Sequence, residues 1–165
     1  YAVHINYLRF MSDFQLLDSV EPHKEKSEEN EEKAFKINNV EITDEHGAKK
    51  NLFELNESMY IHVKYHAEKP IKGNILISVV RRDGVRCYGM EYAKEKKNLY
   101  NFSGKGEFIV AFSDLQLISN DYHIRVQIED ENEKEIEFDE NANFEMKTDS
   151  SERGVFHMDH EWECK

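Results

Sequence analysis

Apolar and polar residues alternate along several short stretches of this chain. The clearest stretches are residues 59–66 and 122–129, in which every second residue is apolar. Because successive side chains of a β-strand lie on opposite faces of a sheet, each stretch predicts a strand with one buried face and one exposed face. The residues predicted to be buried are Met59, Ile61, Val63, Tyr65, Tyr122, Ile124, Val126 and Ile128.

Strands of this kind are predicted throughout the region from residue 34 to residue 162. Turn signals such as Asp83-Gly84 separate them, and this spacing is typical of an antiparallel β-sandwich. In the first strand the apolar residues share one face only if a bulge lies near Asn38-Asn39. The connection 93–104 is predicted to be a long, variable loop. The predicted strands are 34–43, 58–66, 74–82, 85–92, 106–112, 121–130, 143–148 and 154–162.

Two further segments precede the sandwich. In residues 1–20, apolar side chains recur at intervals of three and four, which predicts a helix with one apolar side. Residues 21–34 are mostly charged and are interpreted as a linker. The alternative is a charged, exposed helix, because Glu and Lys are good helix formers. The β-sandwich domain is expected to span residues 35–165, and Tyr1 in place of methionine suggests a fragment of a longer chain.

The formal net charge of -12 restricts the possible partners. Such a chain repels phosphate backbones and anionic lipids, so nucleic acid is not an expected partner. No apolar run approaches the roughly 20 residues that a membrane-spanning helix needs. Cys87 and Cys164 do not form the disulfide framework of a small secreted domain, which favours a reducing compartment.

A series of short motifs in the sandwich region resembles one known family. In order, the motifs are Ile77-Ser78-Val79-Val80-Arg81-Arg82-Asp83-Gly84, Cys87-Tyr88-Gly89, Gly106-Glu107-Phe108, Asp121-Tyr122-His123-Ile124, Phe138-Asp139, Asn143-Phe144-Glu145-Met146, Gly154-Val155 and His160-Glu161-Trp162. They resemble the C-terminal carbohydrate-binding domain of Wzt-type ATP-binding subunits of O-antigen polysaccharide ABC transporters. The chain departs from the family in having Ser119-Asn120-Asp121 for a turn with Pro and Gly, and Met146 for a β-branched residue.

The resemblance implies an immunoglobulin-like β-sandwich that recognises the modified non-reducing end of a lipid-linked O-antigen polysaccharide for export. It also implies a homodimer that exchanges its C-terminal strand, with Val155, Phe156, Met158 and Trp162 at the interface. The expected location is the cytoplasmic side of the cell membrane, beside the ATP-binding and membrane-spanning parts of a transporter. The ATPase itself is not expected in this fragment.

Candidate sugar-binding residues follow from the polar face of the predicted sheet. Sugar recognition needs flat aromatic rings that stack on C–H surfaces and planar polar side chains that meet paired hydroxyl groups. Residues of both kinds fall on the polar side of two strands and just after the turn that follows one of them. The alternative is an ordinary solvated sheet face with surface ion pairs. The predicted carbohydrate-binding residues are Ser78, Arg82, Tyr88, Tyr92, His123, Arg125 and Gln127.

Catalysis, metal binding and a cofactor are not predicted. Cys87 lies in a predicted strand, where it is expected to be buried as a small apolar residue. His157, Asp159, His160 and Cys164 crowd the C-terminus, but strand alternation assigns His157 and His160 to opposite faces, which argues against zinc. The competing function is a structural dimerisation or protein-contact domain that binds no glycan, because the same sandwich suffices for it.

Overall fold

The computed structural model describes residues 34–149 and 151–163, so the predicted helix 1–20 and nearly all of the linker 21–34 lie outside the described residues. The described part is built from strands with one short helix, as the alternating pattern predicts. The elements are β1 (Phe35–Thr43), β2 (Leu52–Glu54), β3 (Met59–Arg81), β4 (Arg86–Glu91), α1 (Tyr92–Lys96), β5 (Tyr100–Phe112), β6 (Asn120–Asp130) and β7 (Glu135–Lys147).

The long strand β3 belongs to both layers of the fold. Its first half, residues 59–67, pairs antiparallel with β1 on one side and β5 on the other. Its second half, residues 73–81, pairs with β6, while β4 pairs with residues 76–80 on the opposite edge. Strands β7 and β2 extend this second sheet beyond β6. We refer to β1, the first half of β3 and β5 as the first sheet, and to β4, the second half of β3, β6, β7 and β2 as the second sheet.

The prediction of two separate strands at 58–66 and 74–82 was wrong, because β3 runs through both. The intervening Glu68-Lys69-Pro70 breaks the alternation, and proline lacks the N–H that a ladder needs. The structure accommodates these residues in a register shift between Ala67 and Ile71, after which pairing with β5 resumes. A similar shift between Ile37 and Asn39 confirms the predicted bulge in β1.

The core lies between the two sheets and confirms the predicted buried faces. Met59, Ile61 and Val63 of β3 are fully buried, as are Ile124 and Val126 of β6. Residues of both halves of β3 belong to one continuous hydrophobic cluster. The bent strand therefore supplies side chains to both walls of a single core, which is the arrangement of a β-sandwich.

Tyr122 shows how a polar atom is accommodated in this core. Its ring is buried, and its hydroxyl donates a hydrogen bond to the carbonyl oxygen of Ile118 at 2.9 Å. Burial raises the pKa of Tyr122 to about 12. A tyrosine that bonds back to the chain a few residues upstream is a feature of immunoglobulin-like sandwiches, where it fixes the turn into a strand.

One predicted loop, one predicted strand boundary and one omitted strand also need correction. The connection 93–104 is not a loop, because it contains α1 and the start of β5. β7 begins at Glu135, earlier than the predicted 143–148, since an acidic sequence can pair in a ladder whose face is exposed. β2 was not predicted, and it pairs with β7 in the parallel direction, which departs from an entirely antiparallel sandwich.

The predicted strand 154–162 is absent from the described chain. Phe156 forms only an isolated bridge with Leu117. Two backbone hydrogen bonds flank it, from the N–H of Ile118 to the carbonyl of Val155 at 3.0 Å and from the N–H of His157 to the carbonyl of Gln116 at 2.7 Å. The paired segment 116–118 is too short to template a longer strand, and residues 157–163 have no regular structure.

Candidate functional site

The outer face of the second sheet carries the polar residues predicted for β6. Ser78 of β3 pairs directly with Arg125 of β6, and His123 and Gln127 lie two residues to either side of Arg125. Because directly paired residues and alternate residues of one strand lie on the same face, the four side chains share one surface. We call Ser78, His123, Arg125 and Gln127 the polar face.

Arg125 occupies the centre of the polar face. Its guanidinium nitrogens lie 3.6 Å from a carboxylate oxygen of Glu135 and 3.6 Å from one of Glu140, and its central carbon lies 5.0 Å from the centre of the Phe138 ring. These ion pairs are too long for hydrogen bonds. Nε is buried and has no hydrogen-bond partner among the described residues. The side chain is thus held in place electrostatically, while its terminal nitrogens make no short hydrogen bond to the described residues.

Next to Arg125, the surface is formed by residues with small side chains. Ser78 is buried, and its neighbour on the other side is Gly89 of β4. A methyl group added to Gly89 would lie 3.7 Å from both the Ser78 hydroxyl oxygen and the Arg86 side chain, which is ordinary contact. On the other flank, the amide of Gln127 donates to the Glu129 carboxylate at 2.9 Å, and burial raises the pKa of Glu129.

Tyr88 and Tyr92 do not join the polar face. A register shift in the β3–β4 ladder pairs Tyr88 with the core residue Val79, which places it on the opposite side of the sheet from Ser78. Its ring lies 5.7 Å from that of Phe112. Tyr92 begins α1, and its ring packs edge-on against Tyr100 at 5.5 Å. The structure therefore brings Ser78, His123, Arg125 and Gln127 together but not Tyr88 or Tyr92, because strand alternation does not hold across a bulge.

Arg82 lines an open cleft that adjoins the polar face and has a volume of about 590 Å³. We call it the first cleft. The Arg82 guanidinium pairs with Asp121 at 2.9 Å, although the side chain is 80% exposed. His123 connects the cleft to the polar face and pairs across the ladder with Asn143 of β7. The cleft is lined by Asn51, Leu52, Arg82, Asp121, Tyr122, His123, Asn143, Phe144 and Glu145.

The sequence prediction missed Phe138 and Asn143. The Phe138 side chain is 45% exposed. The sequence signal for this exposure is that Phe138 lies in a run of acidic residues. Asn143 directly precedes the buried Phe144 in β7, so alternation assigns it to the outer face. Phe138 was overlooked because the first half of β7 was not recognised as a strand, whereas Asn143 lies in the predicted strand 143–148 and was not selected.

The family model of the Wzt C-terminal domain matches residues 26–158, which is most of the chain. The chain belongs to the Wzt C-terminal domain family. Wzt C-terminal domains are non-catalytic, and membership supports a role in an O-antigen ABC transporter. No described helix is both long and apolar enough to span a membrane.

A crystal structure of the C-terminal domain of Wzt is similar to this domain throughout. The TM-score is 0.64 at 15% identity, and the similarity covers 80% of this chain and 84% of that chain. At this identity the likeness shows the fold alone, and it confirms the immunoglobulin-like sandwich. No match was found among curated protein sequences.

Two other solved structures are less similar to this Wzt C-terminal domain. The alkylpurine DNA glycosylase AlkC of Pseudomonas fluorescens, bound to DNA with an abasic site analog, gives a TM-score of 0.48 at 11% identity, over 70% of this chain and 31% of that one. A β-glucuronidase from glycoside hydrolase family 2 gives a TM-score of 0.42 at 16% identity. The similarity covers 61% of this chain and 10% of that chain. These scores are too low to bear on function.

The C-terminal segment of this Wzt domain contains a small ionic cluster. The Glu152 carboxylate lies 2.7 Å from Nδ1 of His157 and 3.6 Å from Nδ1 of His160. The hydrogen bond to Glu152, with a weaker one to Asp159, raises the pKa of His157. The argument that His157 and His160 lie on opposite strand faces was wrong, since this segment is not a strand. Within residues 34–149 and 151–163, no group of side chains is arranged to hold a metal ion, and Cys164 lies outside them.

Proposed function

We propose that the polar face and the first cleft bind the non-reducing end of an O-antigen-type polysaccharide and thereby give an ABC exporter its substrate specificity. One observation carries the proposal: the partly exposed Phe138 ring lies 5.0 Å from the guanidinium of Arg125, whose terminal nitrogens make only long ion pairs. A partly exposed aromatic ring beside donors that make no short hydrogen bond is a combination that can contact a sugar ring and its hydroxyl groups.

The position of the polar face supports the same proposal. It lies on regular strands of the second sheet, and sites built on strands hold their side chains more precisely than sites on loops. Arg82 and His123 continue the polar surface into the first cleft, whose volume of about 590 Å³ is within the usual range of ligand sites. We assign no nucleic acid, metal or cofactor to this surface.

Binding of the intact chain to the O-polysaccharide of its source organism tests the proposal. The expected result in isothermal titration calorimetry is saturable binding of the polysaccharide, with an affinity that changes when its non-reducing end is trimmed or its modification is removed. An unrelated polysaccharide of equal length serves as the control. Equal binding of both polysaccharides, or of neither, would contradict recognition of a specific terminus.

The transporter context is part of the proposal. The domain acts at the cytoplasmic side of the membrane, where it delivers the lipid-linked polysaccharide to the ATP-binding and membrane-spanning parts of the exporter. The ATPase domain belongs to the remainder of the parent subunit. Membership in the family supports this arrangement, which needs no chemistry in the domain itself.

We further propose that the domain is a homodimer that exchanges its C-terminal segment. Large apolar side chains in this segment remain uncovered in the single chain: Phe156 is 48% exposed, Met158 74% and Trp162 86%. Exposed apolar side chains gathered in one segment are typical of a contact surface. Val155 already packs against the core, and in the exchanged dimer it would occupy the same place in the partner.

Deleting residues 153–165 is expected to leave a folded monomer, because the segment adds no strand to the sheets and contacts its own chain through a few hydrogen bonds and the packing of Val155. Light scattering measures the change in mass, and circular dichroism checks that the sandwich persists. The single change Trp162→Ala should weaken the dimer without lowering the stability of the monomer. A truncated protein that stays dimeric would rule out the exchange. A purely structural dimerisation domain would pass this test but bind no polysaccharide.

A further inference from the structure

A second cleft adjoins the first cleft across β7. It has a volume of about 440 Å³ and lies between β1, the segment 49–51 and β7. Asn51 and Asn143 line both clefts, so the two clefts are neighbours, and we call them together the groove. Each cleft alone falls within the range of roughly 300–1,000 Å³ that is typical of small-molecule sites. The groove therefore has room for a ligand longer than one that fills the first cleft.

The charges along the groove already compensate one another. In the first cleft Arg82 pairs with Asp121 at 2.9 Å, and in the second cleft Lys49 pairs with Glu41 at 2.9 Å. The carboxylate of Glu145, in the wall of the first cleft, has no cationic partner among the described residues. An anionic ligand needs donors of positive charge that are free to meet it. This balance of charges disfavours an anion and suits an uncharged ligand.

The uncommitted hydrogen-bonding groups of the groove are neutral. The side-chain amide of Asn51 and the imidazole of His123 make no hydrogen bond with other described residues. The amide nitrogen of Asn143 donates to the carbonyl of Asn141 at 2.8 Å, which leaves its side-chain oxygen to accept. Amide and imidazole groups offer both donors and acceptors. Such groups match hydroxyl groups, each of which also donates and accepts.

We propose that the groove binds an uncharged glycan segment of at least two sugar units, one in each cleft. The domain then reads an internal sugar as well as the terminal one. This inference rests on the proposed glycan-binding function and extends it to the second cleft. Asn51 and Asn143, which line both clefts, are the residues placed to contact the two units together.

Calorimetry with neutral O-polysaccharide fragments of one and two sugars, and with two-sugar fragments that carry a phosphate or carboxylate, tests the inference. The two-sugar fragment is expected to bind at least about tenfold more tightly than the single sugar. Asn39 lines only the second cleft. Asn39→Ala should lower the affinity for the two-sugar fragment by about three- to tenfold and leave the affinity for the single sugar unchanged. Lys64 pairs with Asn39 in the β1–β3 ladder but lies outside the groove, so Lys64→Ala is the matched control.

The outcomes separate this inference from the function on which it rests. Equal affinities for one and two sugars would overturn the second subsite and leave terminal recognition standing. Tighter binding of fragments that carry a phosphate or carboxylate would overturn the preference for an uncharged segment. If no fragment binds at all, the proposed function fails and the inference fails with it.

Discussion

Replacing Phe102 by alanine is expected to lower the free energy of unfolding by about 3–5 kcal/mol. Phe102 is fully buried in β5, and its ring centre lies 4.9 Å from that of Phe35, 5.0 Å from Tyr65 and 4.8 Å from Tyr100. The truncation removes a ring that connects three strands and leaves a cavity that the rigid sheet cannot close. Urea denaturation followed by circular dichroism measures the change.

Phe138→Ala is the matched control for this loss of stability. The Phe138 ring lies on the surface of the second sheet and is 45% exposed. Its removal should cost less than about 1 kcal/mol, because little apolar surface leaves water at this position. Comparable losses from the two variants would mean that the core does not lie between the two sheets.

The largest expected effect on binding comes from Arg125→Ala. Removing a charged donor that hydrogen-bonds to the ligand costs about 1.5–3 kcal/mol, which corresponds to an affinity roughly 10- to 150-fold lower. The fold should tolerate the change, because the ion pairs of Arg125 are long and about one third exposed. Calorimetry with the polysaccharide measures the affinity, and thermal unfolding checks the fold.

Two comparison variants make this prediction specific. Arg153 is exposed and lines neither cleft, so Arg153→Ala should bind like the parent. Arg125→Lys keeps the charge but loses the planar fork of donors, and it should recover only part of the affinity. If Arg125→Ala binds like the parent, the polar face is not the site.

The alternation of residues predicted the buried faces of β3 and β6 correctly, because burial is what imposes that pattern. Met59, Ile61 and Val63 had to be apolar once their side of the strand faced the core. The pattern failed where the backbone departs from regular pairing. It could not show that β3 passes through Pro70, since the register shift that accommodates these residues depends on β5, which is distant in sequence.

The candidate site was predicted only in part, because alternation holds only where the strands pair regularly. Ser78 and Arg125 were assigned to one face from alternation within strands, and the ladder between β3 and β6 keeps that alternation. Tyr88 was misplaced because the bulge in β4 reverses the face after Arg86. The second cleft lies between β1 and β7, and no local pattern reports the approach of strands that are distant in sequence.

Backbone amide chemical shifts, measured during titration with a terminal fragment of the polysaccharide, test whether the polar face contacts the end of the polysaccharide. The largest changes are expected on residues 123–127 and around Ser78, and they should extend to Arg82 and Asn143. The outer face of the first sheet at Lys64 and His66 should remain unchanged. Changes confined to the first sheet, or no change at saturating fragment, would show that the polar face is not the binding site.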